Sequence, residues 1–143
     1  MNTSKAAHSM YKKIAKFRTN YTDTSYAVFR IIVGLLFAFH GAQKLFGLFT
    51  ERGAAPLVSL TGLAGVIEFF GGIMIAIGLF TSITSIIASV EMIFAFFMSH
   101  FTLANPIPIL NRGELALLYF AAFLYIAFHG GGKWALDRVF WKK

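Results

Sequence analysis

The sequence predicts an all-α protein, an antiparallel transmembrane four-helix bundle. Three observations carry this. The 143 residues are 57% apolar and 17% aromatic but only 13% charged, about half the ~25% charged share of a soluble domain. Four apolar runs follow one another, at about 26–49, 56–80, 83–104 and 114–129. Finally, the basic residues gather at the two ends of the chain, as they do in membrane proteins whose termini share one face.

Each element follows from these runs. A helix needs about 20 apolar residues to cross roughly 30 Å of hydrocarbon, and the first three runs have that length. The fourth is short, but Arg112 and Lys133 flank it and can snorkel outward. In lipid the backbone must satisfy its own hydrogen bonds, so the runs are helices. Thr50, Glu51, Arg52 and Gly53 form the first loop, and Thr81 and Ser82 make a tight turn between the second and third helices. Asn105, Pro106 and Pro108 end the third helix. Asn111 and Glu114, three apart, read as a capping box opening the fourth, and Gly130, Gly131 and Gly132 close it. No internal repeat is visible.

Residues 1–25 form a basic N-terminal segment and residues 26–143 the membrane domain. In the segment, Met10, Ile14, Phe17 and Tyr21 recur at helical spacing, with Lys12, Lys13 and Lys16 elsewhere on the wheel. This suits an amphipathic interfacial helix; a frayed basic tail fits as well. Lys5, Lys12, Lys13, Lys16 and Arg18 at one end and Lys133, Arg138, Lys142 and Lys143 at the other make nine basic residues. The opposite loops hold only Arg52 and Arg112, so both termini are expected to be cytoplasmic. Trp134, Phe140 and Trp141 then form an aromatic anchor. The net charge of +7 points to anionic membrane lipids rather than nucleic acid. The absence of Cys excludes disulfides, thiolate metal sites and dithiol redox chemistry, and no metal site is expected.

Arg30, His40, Lys44, Glu68 and Glu91 are charged or titratable residues inside the first three runs. Such residues cost about 2.5–3.5 kcal/mol each on insertion scales, so they face the protein interior, pair, and often mark a functional path. Depth counted at ~1.5 Å per residue sorts acids and bases into three layers: Arg30 with Glu91, His40 with Glu68, and Lys44 with Glu114. On the second helix Gly65, Glu68 and Gly72 share a face, as do Ala88, Glu91 and Ala95 on the third. Small residues let helices approach closely, so both acids are expected to point inward. Register-fixing ion pairs are the bland alternative. His40 and His100 fall at different depths, which disfavours a bis-His haem, and Tyr119 and Tyr125 read as packing residues.

The run Arg30 to Gly34 followed by His40-Gly41-Ala42-Gln43-Lys44 resembles the first helix of the DoxX family. Glu68-Phe69-Phe70-Gly71-Gly72 with Gly78-Leu79-Phe80-Thr81 resembles its second. Residues 111–119 and 132–137 are similar to its last helix and tail. Ser82 and Ala135 depart from the family pattern. The resemblance implies a small four-helix protein of the cytoplasmic (inner) membrane. Some members are subunits of thiosulfate:quinone oxidoreductase, and others are tied to quinone or oxidative-stress pathways.

The expected function is therefore a quinone-linked subunit or partner of a membrane oxidoreductase, its electrons supplied by a partner protein. His40, Glu68 and Lys44 are the candidate catalytic residues: a His–Glu pair delivers protons and Lys44 polarises a quinone oxygen. Arg30, His40, Lys44, Glu68, Glu91 and Glu114 are the candidate cofactor-binding set. Two alternatives stand beside it. One is a non-catalytic membrane assembly or scaffold partner. The other is a small proton- or cation-coupled transporter using Glu68 and Glu91. A protein partner or a homo-oligomer is expected.

Overall fold

No proline precedes Pro56, and in the computed structural model one helix, α1, runs unbroken from Thr3 to Phe46. The structure describes residues 3–141, and side chains for residues 7–18 and 21–141. Met1, Asn2, Lys142, Lys143 and the side chain of Lys5, parts of the expected basic termini, lie outside that range. At ~1.5 Å per residue α1 is about 66 Å long, more than twice the ~30 Å of hydrocarbon. The helix crosses the boundary expected at residues 25 and 26 without a break. It ends at Gly47, whose φ of 66° is the left-handed conformation that glycine adopts without strain.

Helix α2, Leu60–Ile77, opens where Ser59 Oγ accepts a hydrogen bond from Gly62 N at 3.0 Å. It closes at Gly78, φ 74°, where Gly78 N donates to Ile75 O and Leu79 N to Met74 O, a paired ending that needs a left-handed residue. The turn to α3, Thr81–Ser99, is thus made by Gly78, Leu79 and Phe80. Thr81 and Ser82, expected to form it, are instead the first residues of α3. The cause is distant in sequence. The Asp137 carboxylate accepts from Phe80 N at 2.7 Å, Thr81 N at 2.9 Å and Thr81 Oγ1 at 2.6 Å, so it caps α3 from the C-terminal tail.

Helix α3 ends at Ser99, short of the expected 104. Thr102 and Asn105 divert the chain into a turn, with Asn105 N donating to Thr102 O and to Thr102 Oγ1. A single helical turn, α4, Pro108–Asn111, follows. Helix α5, Glu114–His129, has the bounds expected for the fourth run. Its entry is not a capping box: Asn111 Oδ1 accepts from Gly113 N at 2.8 Å, within the turn before the helix. The one-turn α6, Asp137–Phe140, closes the described chain.

Helices α1 and α2 run in opposite directions and cross on small residues. A side chain at Gly34 would meet the Ala76 backbone nitrogen at 2.6 Å, and one at Gly65 would meet Lys44 Cβ at 2.9 Å. Helix α3 packs on α5 and, through the short turn, on α2. Phe37, Ile75, Ala88, Met92, Phe123 and Ile126 form the shared core. The outer faces are apolar too: Ile32, Phe70, Ile86, Phe94 and Leu118 are exposed. A surface of this kind is an aggregation hazard in water and is solvated in lipid. Helices α1, α2 and α3 are long and apolar enough to cross a membrane, and α5 is a shorter apolar helix.

Candidate functional site

Arg30 is completely buried, but its partner is not an acid. Its Nη1 donates to Ile75 O and to Ala76 O, the latter at 2.6 Å, and Nη2 reaches Lys133 O at 3.4 Å. The last carbonyls of a helix lack intrahelical donors and carry the negative end of its dipole. A guanidinium offers five donors in a fixed fork and suits that position. Arg30 therefore ties the end of α2 to the C-terminal tail. The expected Arg30–Glu91 layer does not form. Arg30 also stands 14 positions before Lys44 on α1, about 21 Å away along the axis, so the two belong to different ends of the span.

Among the described residues the ion pair is Lys44 with Glu68. Lys44 Nζ lies 2.6 Å from Glu68 Oε1, with the glutamate side chain 4% exposed and the lysine 31%. The local reason is the α1–α2 crossing: Gly65 lets Lys44 lie against α2, and Glu68, one turn on, faces it. This pairing replaces two expected layers. His40 is half-buried one turn before Lys44, close enough to Glu68 to interact electrostatically, and its ring stands edge-on to Tyr119 with centroids 5.9 Å apart. Glu114 is exposed at the start of α5, and Lys44 is committed elsewhere. The equal-depth count failed here because it started every helix at the same membrane plane.

Glu91 joins the same cluster from α3, interacting electrostatically with both Glu68 and Lys44. Both of its carboxyl oxygens, and Oε2 of Glu68, are buried without a hydrogen-bond partner among the described residues. Tyr119 on α5 is buried and within electrostatic reach of Glu68. Lys44, Glu68 and Glu91, with His40 and Tyr119 beside them, thus converge from four helices. The charged pair fixes a local field, and the three unpartnered oxygens can accept hydrogen bonds from a ligand or take up a proton. Among the described residues no three His, Cys, Asp or Glu side chains converge as metal ligands.

Sequence reasoning missed two residues. Tyr119 was read as packing, and it does stack on Phe123, but its contact with His40 depends on the α1–α5 approach, which no local pattern encodes. Asp137 left a fainter signal: it is the sole acid among the basic and aromatic residues of the tail, so a specific positive or N–H partner was to be expected.

Against known proteins, the family model described as DoxX matches residues 25–101. That stretch contains Arg30, His40, Lys44, Glu68 and Glu91. An uncharacterized protein of Haemophilus influenzae is 42% identical over 122 residues, covering 82% of this chain and 91% of the relative. No solved structure matches.

Proposed function

This chain belongs to the DoxX family and is an integral membrane protein, and we propose that it serves as a quinone-linked subunit or partner of a membrane oxidoreductase. In this reading the apolar helices form four antiparallel spans of the cytoplasmic membrane, with both termini on the cytoplasmic face. The nine-to-two distribution of basic residues supports that orientation. The observation that carries the functional reading is the Lys44–Glu68–Glu91 cluster, with three buried carboxyl oxygens lacking hydrogen-bond partners among the described residues.

The donor set fits a quinone head. A quinone supplies a two-electron, two-proton couple, with electrons coming from a partner protein. Lys44 is a donor for a carbonyl oxygen, and Glu68 Oε2 is an acceptor for a hydroxyl. His40, one turn along α1, carries protons toward Glu68. Arg30 and Glu114 stand outside this assignment, one as a helix-end clasp and the other on the surface.

A second reading, proton or cation coupling, is favoured by one feature. Glu91 lies beside Glu68 with neither of its oxygens engaged, and intramembrane acids of this kind mark ion paths.

Glu68→Gln tests the proposal. The protein is purified from native membranes in mild detergent, and bound quinone is extracted and quantified by ultraviolet absorbance. Loss of a charge-assisted hydrogen bond is worth about 1.5–3 kcal/mol, so a variant that melts like the wild type should retain quinone at least about tenfold more weakly. Equal retention by wild type and variant refutes the quinone assignment. Proton flux into liposomes lost in E68Q, with quinone content unchanged, selects the second reading.

A further inference from the structure

The seams between neighbouring helices are not built alike. On the α1–α2 seam a side chain at Gly34 or Gly72 would strike the facing backbone. On the α2–α3 seam Gly71 lies against Thr84, and on the α3–α5 seam Ser89 Oγ donates to Phe120 O at 3.3 Å. The α1 and α5 backbones, in contrast, approach each other at few positions, and rings fill the space between them. Phe29 meets Tyr125 with centroids 6.2 Å apart. Phe37 meets Phe123 at 4.5 Å and Tyr119 at 5.5 Å, and His40 meets Tyr119 at 5.9 Å. From Phe29 to His40 is about 16 Å along α1, all inside its apolar run. The last rung of this ladder borders the acid–base cluster: His40 stands one turn before Lys44, and Tyr119 is within electrostatic reach of Glu68.

A crossing held by glycine backbones parts only if a helix moves, whereas a seam filled by side chains opens by rotamer changes. Tyr119 touches both Phe37 and His40, so one change at this side chain breaks two rungs. The contacts are also exchangeable. A flat ring arriving from the bilayer replaces the ring contacts that it breaks, and an acyl chain, which has no ring quadrupole, does not. Such a seam favours ring-bearing molecules over the lipid tails around it.

We propose that the α1–α5 seam is the doorway through which a flat ring dissolved in the bilayer reaches the Lys44–Glu68–Glu91 cluster, with Tyr119 as its movable leaf. This rests on the quinone reading and adds the route and the selection of a ring. Tyr26 Oη donates to Gly130 O at 2.5 Å, which pins the end of the seam away from the cluster.

The chain has no Cys, so a lock can be placed cleanly. Leu36 and Ala122 adjoin Phe37 and Phe123, whose rings touch. Leu36→Cys with Ala122→Cys is bridged by a bifunctional methanethiosulfonate in the full chain in nanodiscs, bridging being confirmed by mass. A one-armed reagent on the same variant is the reference. Phe46→Cys with Phe69→Cys, at rings 5.2 Å apart on the α1–α2 seam, is the control lock. Decylubiquinone is the probe, and bound quinone is extracted and read by ultraviolet absorbance. The L36C/A122C lock should prevent loading over the time in which the reference saturates. Applied after loading, it should also hold the probe in place, since a closed doorway blocks release as well as entry. The control lock should change neither rate. Unchanged entry and release in the L36C/A122C lock overturn the proposal, as do equal effects of the two locks. Faster release from the L36C/A122C lock overturns it too, because that is damage to the site rather than closure of a path. A wild type that takes up no probe at all overturns the doorway and the quinone reading together.

Discussion

Replacing Lys44 by Met leaves Glu68 buried with neither oxygen paired, and the size of the resulting loss can be reasoned from the geometry. Breaking a buried ion pair by removing one partner costs about 3–5 kcal/mol, because the remaining charge is uncompensated. Glu68 is almost wholly buried, but the Lys44 side chain is 31% exposed, so solvent screens part of the interaction. The expected loss is then about 2–3 kcal/mol. The double variant K44M/E68M removes both charges and fills similar volume with apolar atoms, and it should fall within about 1 kcal/mol of the wild type. The measurement is unfolding in mild detergent followed by fluorescence of Trp134 and Trp141, run as a double-mutant cycle. A coupling energy of about 2 kcal/mol is expected, well above the few tenths found for independent sites. If K44M unfolds within about 0.5 kcal/mol of the wild type, or the double variant is as unstable as the single one, the pair does not hold Glu68 as described.

Arg30→Met should destabilise the protein by about 3 kcal/mol, since it strips the carbonyls of Ile75 and Ala76 of a charged donor in a buried setting. Arg30→Lys should recover only part of the loss, because one ammonium cannot reproduce the fork. Melting temperatures of the three proteins check the order. Asp137→Asn should cost about 1.5–3 kcal/mol and speed hydrogen exchange at Phe80 and Thr81. Unchanged exchange there means that the tail does not cap α3.

The helices were legible because hydropathy and length act locally, and α5 was found at its bounds. Ends governed by distant partners were not. Thr81 and Ser82 look like a turn until Asp137, 56 residues on, supplies the cap that makes them helical. The same division runs through the site. That Glu68 faces inward followed from Gly65 and Gly72 on its own helix, and its side chain is indeed buried. Which cation it meets did not follow, because one turn on α1 separates His40 from Lys44, and the crossing point decides between them. Arg30 was misassigned for a related reason: counting charges assumes that a cation seeks an acid, yet helix-end carbonyls are equally good acceptors. The N-terminal segment carries the expected amphipathic spacing, but spacing alone does not say whether a helix lies down or continues straight.

That continuity makes α1 a mast. About 36 Å of it stands beyond what the hydrocarbon can cover, and no proline interrupts it. Whatever grips the protruding arm sets the lean of the whole rod. The foot of the rod is where Lys44 meets Glu68, across a crossing so close that glycine is required. One continuous helix therefore joins the protruding arm to the chain's most costly charges.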